Sequence, residues 1–359
     1  MTSKQRKKDD LSCKAGHANE DSITGLPVQY DMISLSESYR RELLLHAYRL
    51  LGSLHDAEDV VQETMLRAWR HGDTFMDRGP GSLRTWLYTI ATNVSLDALK
   101  KRSRRTLPTA ISPAADPLRP IANPSAEVLW LEPFPNSWLA EAAENPEARY
   151  TRQESVSLAF LTALQLLPPR QRAILLLSDV LDWSASEIAH LLEISVSAVK
   201  SALHRSRITL EKNYHTEQRE KALVRPADAE MKALLLRYLQ AWENDDVDEL
   251  VALLKEDARL SMPPLPSWYW GREAIRAYLL TVIFLSGVQK QWRVYPTRAN
   301  GQHAFVLYRA DEAKGSYRAF GIAVVTFDDL QFPRQIAEVT AFLDPSLVTC
   351  FDFPLHLPE

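Results

Sequence analysis

The chain has 359 residues, 46% hydrophobic and 25% charged, a balance that suits a soluble protein of two or three domains. Its two cysteines, Cys13 and Cys350, stand near opposite ends, which disfavours a disulfide framework or a zinc site and points to a reducing cytoplasm. No apolar run approaches the length of a membrane span, and none follows the basic start MTSKQRKKDD, so neither a membrane protein nor a secretory signal is expected.

Residues 1–35 are polar and aperiodic and read as a flexible arm. Residues 36–105 are helical in pattern. SYRRELLLHAYRLLGS sets Tyr39, Leu43, Ala47 and Leu50 on one stripe and stops near Gly52. HDAEDVVQETMLRAWRH follows, with Asp56 as the expected N-cap. After the loop DRGPGS (77–82), a third helix, LRTWLYTIATNVSLDALKKRSRR, runs into a basic end. Residues 106–150 carry eight prolines, which predicts an extended linker. Residues 151–215 turn helical again: RQESVSLAFLTALQLL stops at Pro168–Pro169, RQRAILLLSDVL follows, and two more helices start from Ser184. Residues 227–350 change character. Helices AEMKALLLRYLQAWENDD, VDELVALLKEDA and REAIRAYLLTVIFLS precede strands QWRVYPTRA, HAFVLYRAD, SYRAFGIAVVTFD and RQIAEVTAFLD. The fold class is therefore multidomain: two all-α domains, then an α+β domain.

The formal net charge of −4 argues against a nucleic-acid partner, but its distribution does not. From Glu230 onward there are 13 Lys and Arg against 17 Asp and Glu, which leaves 29 against 29 before it. Within that neutral part, ALKKRSRR (98–105) has five basic residues and no acid, whereas 106–150 has two basic and six acidic residues. Such local fields govern binding more than the total does.

SASEIAHLLEISVSAVKSALHRSR (184–207) is the strongest local motif, a helix-turn-helix. Ser184 with Glu187 forms a capping box, and Ser195 caps a second helix whose Val196, Val199, Leu203 and Leu210 form a buried stripe. Lys200, Ser201, His204, Arg205 and Arg207 are left facing out, as donors for base edges and phosphates or as a solvated basic face. Glu193 occupies a turn position that often holds glycine. On the helix before the linker, Arg84, Trp86, Tyr88 and Asn93 precede Lys100, Lys101, Arg102, Arg104 and Arg105. Aromatics stack on unpaired bases, Asn reads base edges and the basic run neutralises phosphates; Tyr88, and equally Trp86, also suit a core. Asp59, Gln62 and Glu63 share one helix face, which fits a basic protein partner or plain solvent.

Taken together, HDAEDVVQETMLRAW, SLRTWLYTIATNVSLDAL and LPPRQRAILLLSDVLDWSASEIAHLLEISVSAVKSALHRSR resemble the extracytoplasmic-function (ECF) group of bacterial sigma factors across about residues 36–212. LWLEPFPNSWL and the C-terminal part resemble the sigma factor G subgroup, which carries a SnoaL-like domain. The resemblance implies a monomer within a holoenzyme, with core RNA polymerase and promoter DNA as partners and no cofactor or metal. It implies that Asp59, Gln62 and Glu63 meet the β′ clamp helices and that the second helical domain meets the β flap. Arg84, Trp86, Asn93, Lys100, Lys101 and Arg102 would open and hold the −10 element, with a base captured near 77–82. Ser197, Lys200, Ser201, His204 and Arg205 would read the −35 element, and the acidic linker would thread the polymerase channel. Ala202 departs from the family pattern, where an Arg is common.

LLLRYLQAWENDDVDELVALLKEDARLSMPP is similar to the start of the SnoaL/ketosteroid-isomerase cone fold, over about 229–345. Active isomerases of that fold use a base carboxylate before a proline and an oxyanion hole of Tyr and protonated Asp. Here those positions fall on Met262, Tyr238 and a residue at or near Ala323, so isomerase chemistry is not expected. Tyr238, Met262, Trp268 and Trp270 are left as a candidate pocket for a small molecule; the alternative is a regulatory module that packs on the sigma domains. A different function class is also open: a ligand-binding cone tethered to a conventional helix-turn-helix repressor.

Overall fold

The computed structural model describes residues 37–77, 79, 81–100, 103–124, 127–139, 155–214, 229–284, 291–311, 313, 315–328 and 334–358. The expected arm at 1–35, Lys101 and Arg102 of the basic run, and the linker residues 140–150 lie outside the described residues.

The first helical unit consists of α1 (Arg40–Leu51), α2 (Leu54–Arg70) and α3 (Ser82–Lys100). Its apolar stripe buries Leu43, Ala47, Leu50, Leu54 and Leu87 completely. Helix α1 stops because Gly52 takes a left-handed φ of 71°. A Cβ at Gly52 would also stand 2.5 Å from Leu131, so glycine is required twice over. The cap of α2 is Ser53, not Asp56: the Ser53 hydroxyl accepts from the Asp56 N–H at 3.1 Å, and Asp56 lies inside the first turn.

The second helical unit is α4 (Leu158–Gln165), α5 (Pro169–Leu175, continued by a wide π turn to Val180), α6 (Ala185–Leu192) and α7 (Val196–Asn213). Pro169 at the first position of α5 suits a site whose N–H has no helical partner.

The C-terminal unit holds α8 (Ala229–Glu243), α9 (Val247–Ala252), β1 (Leu254–Ser261), β2 (Trp268–Trp270), α10 (Arg272–Tyr278), β3 (Trp292–Ala299), β4 (Gln302–Asp311), β5 (Ser316–Asp328), β6 (Gln335–Phe342), α11 (Leu347–Cys350) and β7 (His356–Pro358). The sheet runs β2-β1-β6-β5-β4-β3, with β7 on β5, and only the β1–β6 pair is parallel among them. The expected helix VDELVALLKEDA ends at Ala252. From Leu254 the chain is a strand, because pairing with β6 from Ile336 to Thr340 outweighs the helical preference of LKEDA.

Alternation along the strands gives the sheet two apolar faces. Phe305, Leu307, Ala323 and Val325 turn inward against α8, α9 and α10. Ala304, Val306, Ile322 and Val324 turn outward and join the core of both helical units. The C-terminal unit is therefore built onto the helical units, not hung from them.

The Pro-rich segment has no α-helix among its described residues, as its composition predicts, yet it is not a free tether. Thr106 bridges to Trp130, and Leu107, Trp130, Leu131 and Phe134 are buried. The segment forms a strap from the first helical unit to the sheet.

Candidate nucleic-acid and partner interfaces

The helix-turn-helix forms from its caps outward. Ser184 and Glu187 make the reciprocal capping box, and Glu193 takes the left-handed conformation with φ 54°. A non-glycine residue there costs about 1 kcal/mol, set against the Ile194 N–H bond to the Ala189 carbonyl at 3.0 Å. The Ser195 hydroxyl then caps α7 by accepting from the Ala198 N–H. Val199, Ala202 and Leu203 face inward, while Ser197, Lys200, Ser201, His204 and Arg205 are all exposed. Two details differ from expectation. Val196, at the first position of α7, is 40% exposed and not part of the buried stripe. Ala202 is buried, so this position turns away from the outer face of α7. Arg207 is held by Asp179 in a bidentate pair at 2.7 and 3.0 Å.

Helix α2 exposes Asp59 and Gln62 to solvent, with Glu63 half-buried and bonded to Arg67 at 2.7 Å. Leu66 and Trp69, 47% and 44% exposed, continue the surface. The result is a mixed acidic and apolar face. Sequence reasoning noted the acids and missed the two apolar residues, although their spacing from Gln62 was readable as helical.

On α3, Asn93 and Lys100 are exposed, the latter paired with Asp97. Arg84 is held by Glu42 at 2.9 Å and lies 4.8 Å above the Tyr88 ring, and Trp86 packs on Phe75. Tyr88 is core. Arg105 leaves the basic run altogether: it binds Asp56 at 2.6 Å and the Trp130 carbonyl. The loop before α3 is organised by Asp77, which accepts from the Gly79 N–H and the Ser82 hydroxyl; those bonds hold its carboxyl below the usual range.

The three units meet at a set of buried polar groups that the sequence did not announce. From the strap, Glu132 accepts from the Ser53 hydroxyl at 2.9 Å and the Leu54 N–H at 2.8 Å, and so caps α2 from outside. Arg49 of α1 reaches Ser155, and Arg172 of α5, 2% exposed, donates to the carbonyls of Leu50, Leu164, Gln165 and Leu167. At the centre is Asn300, 0% exposed, at the tip of the β3–β4 hairpin. Its amide donates to the Tyr48 hydroxyl at 2.8 Å and the Val156 carbonyl at 2.7 Å, and accepts from the Phe134 N–H at 2.9 Å. One side chain thus ties together the first helical unit, the strap and the start of the second helical unit. Burial pushes the Tyr48 hydroxyl well above its ordinary pKa; it stays protonated and donates to the Glu132 carbonyl. The contacts of the Asn300 side chain were not legible in the sequence, because its partners lie far along the chain.

Inside the C-terminal unit is an apolar cavity of about 50 Å³ lined by Tyr238, Met262 and Ala323, with Trp242, Tyr278 and Phe320 among the other walls. The three positions compared with isomerase chemistry do converge. Burial raises the Tyr238 hydroxyl to about 12, and neither Met262 nor Ala323 beside it can exchange a proton. Trp268 and Trp270 do not belong to this cavity. Strand alternation on β2 turns Tyr269 inward and both tryptophans out. Trp268 donates to the Ser112 carbonyl of the strap at 2.8 Å, and Trp270 to the Asp257 carbonyl. Among the described residues no His/Cys/Asp/Glu group is arranged to hold a metal, and no helix is long and apolar enough to cross a membrane.

Three family profiles match the chain: Sigma-70 region 2 at residues 35–105, Sigma-70, region 4 at 157–210, and a SnoaL-like domain at 235–334. The chain is similar to the ECF RNA polymerase sigma factor SigG of Mycobacterium tuberculosis, with 42% identity over 327 residues, 90% of this chain and 84% of that protein. It is also similar to SigJ of the same organism, with 27% identity over 232 residues, 63% of this chain and 62% of that protein. The crystal structure of M. tuberculosis SigJ superposes with a TM-score of 0.53 at 21% identity, covering 90% of this chain and 99% of that one, a likeness of fold.

Proposed function

Because the chain belongs to the ECF family of RNA polymerase sigma factors and recognises promoters with two sigma domains ahead of a SnoaL-like domain, we propose that its SnoaL-like domain regulates that recognition without catalysis, by holding the two sigma domains together. The observation that carries this reading is Asn300, which reaches from the C-terminal domain to both sigma domains at once. Sigma domains bound to separate promoter elements must part, and this junction opposes the parting.

The remaining assignments follow from exposure. The α2 face of Asp59, Gln62 and Glu63, with Leu66 and Trp69, meets the β′ clamp helices of core polymerase; its carboxylates suit a basic partner and its apolar residues supply area. Asn93 and Lys100 on α3 serve the −10 element. Arg84 and Trp86 act there by shaping the surface, since both already have partners inside the domain. Ser197, Lys200, Ser201, His204 and Arg205 on α7 read the −35 element. The second sigma domain meets the β flap, and the protein acts as a monomer in the holoenzyme.

Promoter-specific abortive transcription with core polymerase tests the sigma assignment: the purified full chain initiates from a matched promoter and not from one with a scrambled −35 element. Absence of promoter-specific initiation by both the full chain and its Asn300→Gly variant, in which the junction is loosened, refutes it. Turnover of a 3-keto-Δ5-steroid by the purified chain would refute the non-catalytic reading.

A further inference from the structure

We infer that the mouth of the C-terminal cone binds a short amphipathic carboxylic acid, its head held by Arg309 and Arg318 and its tail directed to the apolar cavity. This rests on reading the domain as regulatory, and it gives that domain a ligand class.

The strand register sets Arg309 of β4 directly opposite Arg318 of β5, with Trp292 of β3 opposite Arg309 and His356 of β7 opposite Arg318. Residues paired in antiparallel register share a face. Trp292 belongs to the inner core, and its ring lies 5.9 Å from the Arg309 guanidinium, so both arginines crown the inner side of the sheet. Like charges directly opposite one another destabilise a sheet. Neither arginine makes an ion pair among the described residues, so no salt bridge within them offsets the repulsion. An anion between them would remove it, and the guanidinium fork matches a carboxylate in shape.

The two arginines line a recess of about 560 Å³, together with Gln291, Asp311, Phe320 and Pro345. That volume falls in the range of small-ligand sites. Among the described residues Asp311 is the one acid of the lining and stands across from Ser316, so those residues give the rim an excess of positive charge. Phe320 is also a wall of the apolar cavity, and Leu343 of that cavity lies close in sequence to Pro345 of the recess. A cationic rim therefore adjoins an apolar interior. The interior, at about 50 Å³, admits a few carbon atoms, so a short alkyl or small aryl acid fits better than a sterol.

The test uses the full chain without polymerase, so its failure leaves promoter recognition untouched. Hexanoate, 1-hexanol and acetate are titrated by calorimetry and by the fluorescence of the cone's tryptophans. Hexanoate should bind about tenfold or more tightly than either control, the scale of a charge-assisted contact. Arg309→Gln with Arg318→Gln should bring hexanoate down to the level of hexanol. Met262→Phe, which fills the cavity, should weaken hexanoate and hexanol alike, with unchanged circular dichroism confirming the fold. Equal binding of hexanoate and hexanol to the wild type overturns the inference. So does equal binding of acetate, unchanged hexanoate affinity in the double arginine variant, or no saturable hexanoate binding.

Discussion

Replacing Asn300 by glycine isolates the chemistry of the domain junction. Asn300 has a φ of 54°, a conformation glycine adopts freely, and its own N–H bond to the Phe134 carbonyl at 2.9 Å survives the change. What disappears is the amide, and with it three buried hydrogen bonds, to Tyr48, Val156 and Phe134. Each is worth about 1 kcal/mol net, and the stranded Phe134 N–H and Val156 carbonyl each cost about 1–3 kcal/mol if water does not reach them. With water partly filling the space, the closed arrangement should lose about 3 kcal/mol, a shift of roughly a hundredfold in the closed-to-open ratio. Hydrogen exchange reads this at the Phe134 amide and along the strap, and fluorescence transfer between dyes on α2 and α7 reads the separation. Core-polymerase affinity should rise in parallel, because less closure must be undone. Exchange protection at Phe134 changed by less than about 0.5 kcal/mol would refute the energetic reasoning. Faster exchange with unaltered polymerase affinity would refute the link from junction to regulation.

Asp59→Arg together with Glu63→Arg reverses the charge on the α2 face and should abolish core binding with only a small fall in melting temperature, since neither side chain is core and Glu63 loses only its ion pair with Arg67; unchanged core affinity would move the clamp contact elsewhere. Lys200→Ala with Arg205→Ala should weaken binding to a −35 duplex and flatten the dependence on salt by about one unit of slope per lost phosphate contact, as measured by anisotropy across a salt series. His46, buried against Thr92, has its pKa lowered by burial from 6.5 to about 3. The unfolded chain therefore takes up a proton that the folded chain refuses. This contribution to stability is full above pH 6.5 and falls by about 1.4 kcal/mol per pH unit as acid is added. His46→Gln, which keeps a partner for Thr92, should flatten the acid limb of a urea-melt series by about that slope.

Local chemistry was legible wherever neighbours in sequence are also neighbours in space. The capping box at Ser184, the Ser195 cap, the stop at Gly52 and the break at Pro168–Pro169 each depend on residues within one turn, and each stands where the pattern puts it. The same logic left Lys200, Ser201, His204 and Arg205 outward, because helical period alone sorts a face. It failed where a partner comes from far along the chain. LKEDA reads as helix until β6 offers it a ladder, and the aromatics of SWYWG read as a pocket rim until strand alternation turns Trp268 and Trp270 outward.

The sequence alone was enough for the family resemblance and the order of the domains, since these rest on residue identity at readable spacings. Tertiary structure alone decided that the Pro-rich segment is a docked strap, that Arg84, Arg105 and Arg207 are occupied with carboxylates, and that Asn300 joins three parts of the chain. It also set Arg309 against Arg318. The physical reason is common to all of these. A buried hydrogen bond or ion pair depends on which two surfaces close over it, and the residues that close here, such as Tyr48 and Asn300, lie 252 positions apart.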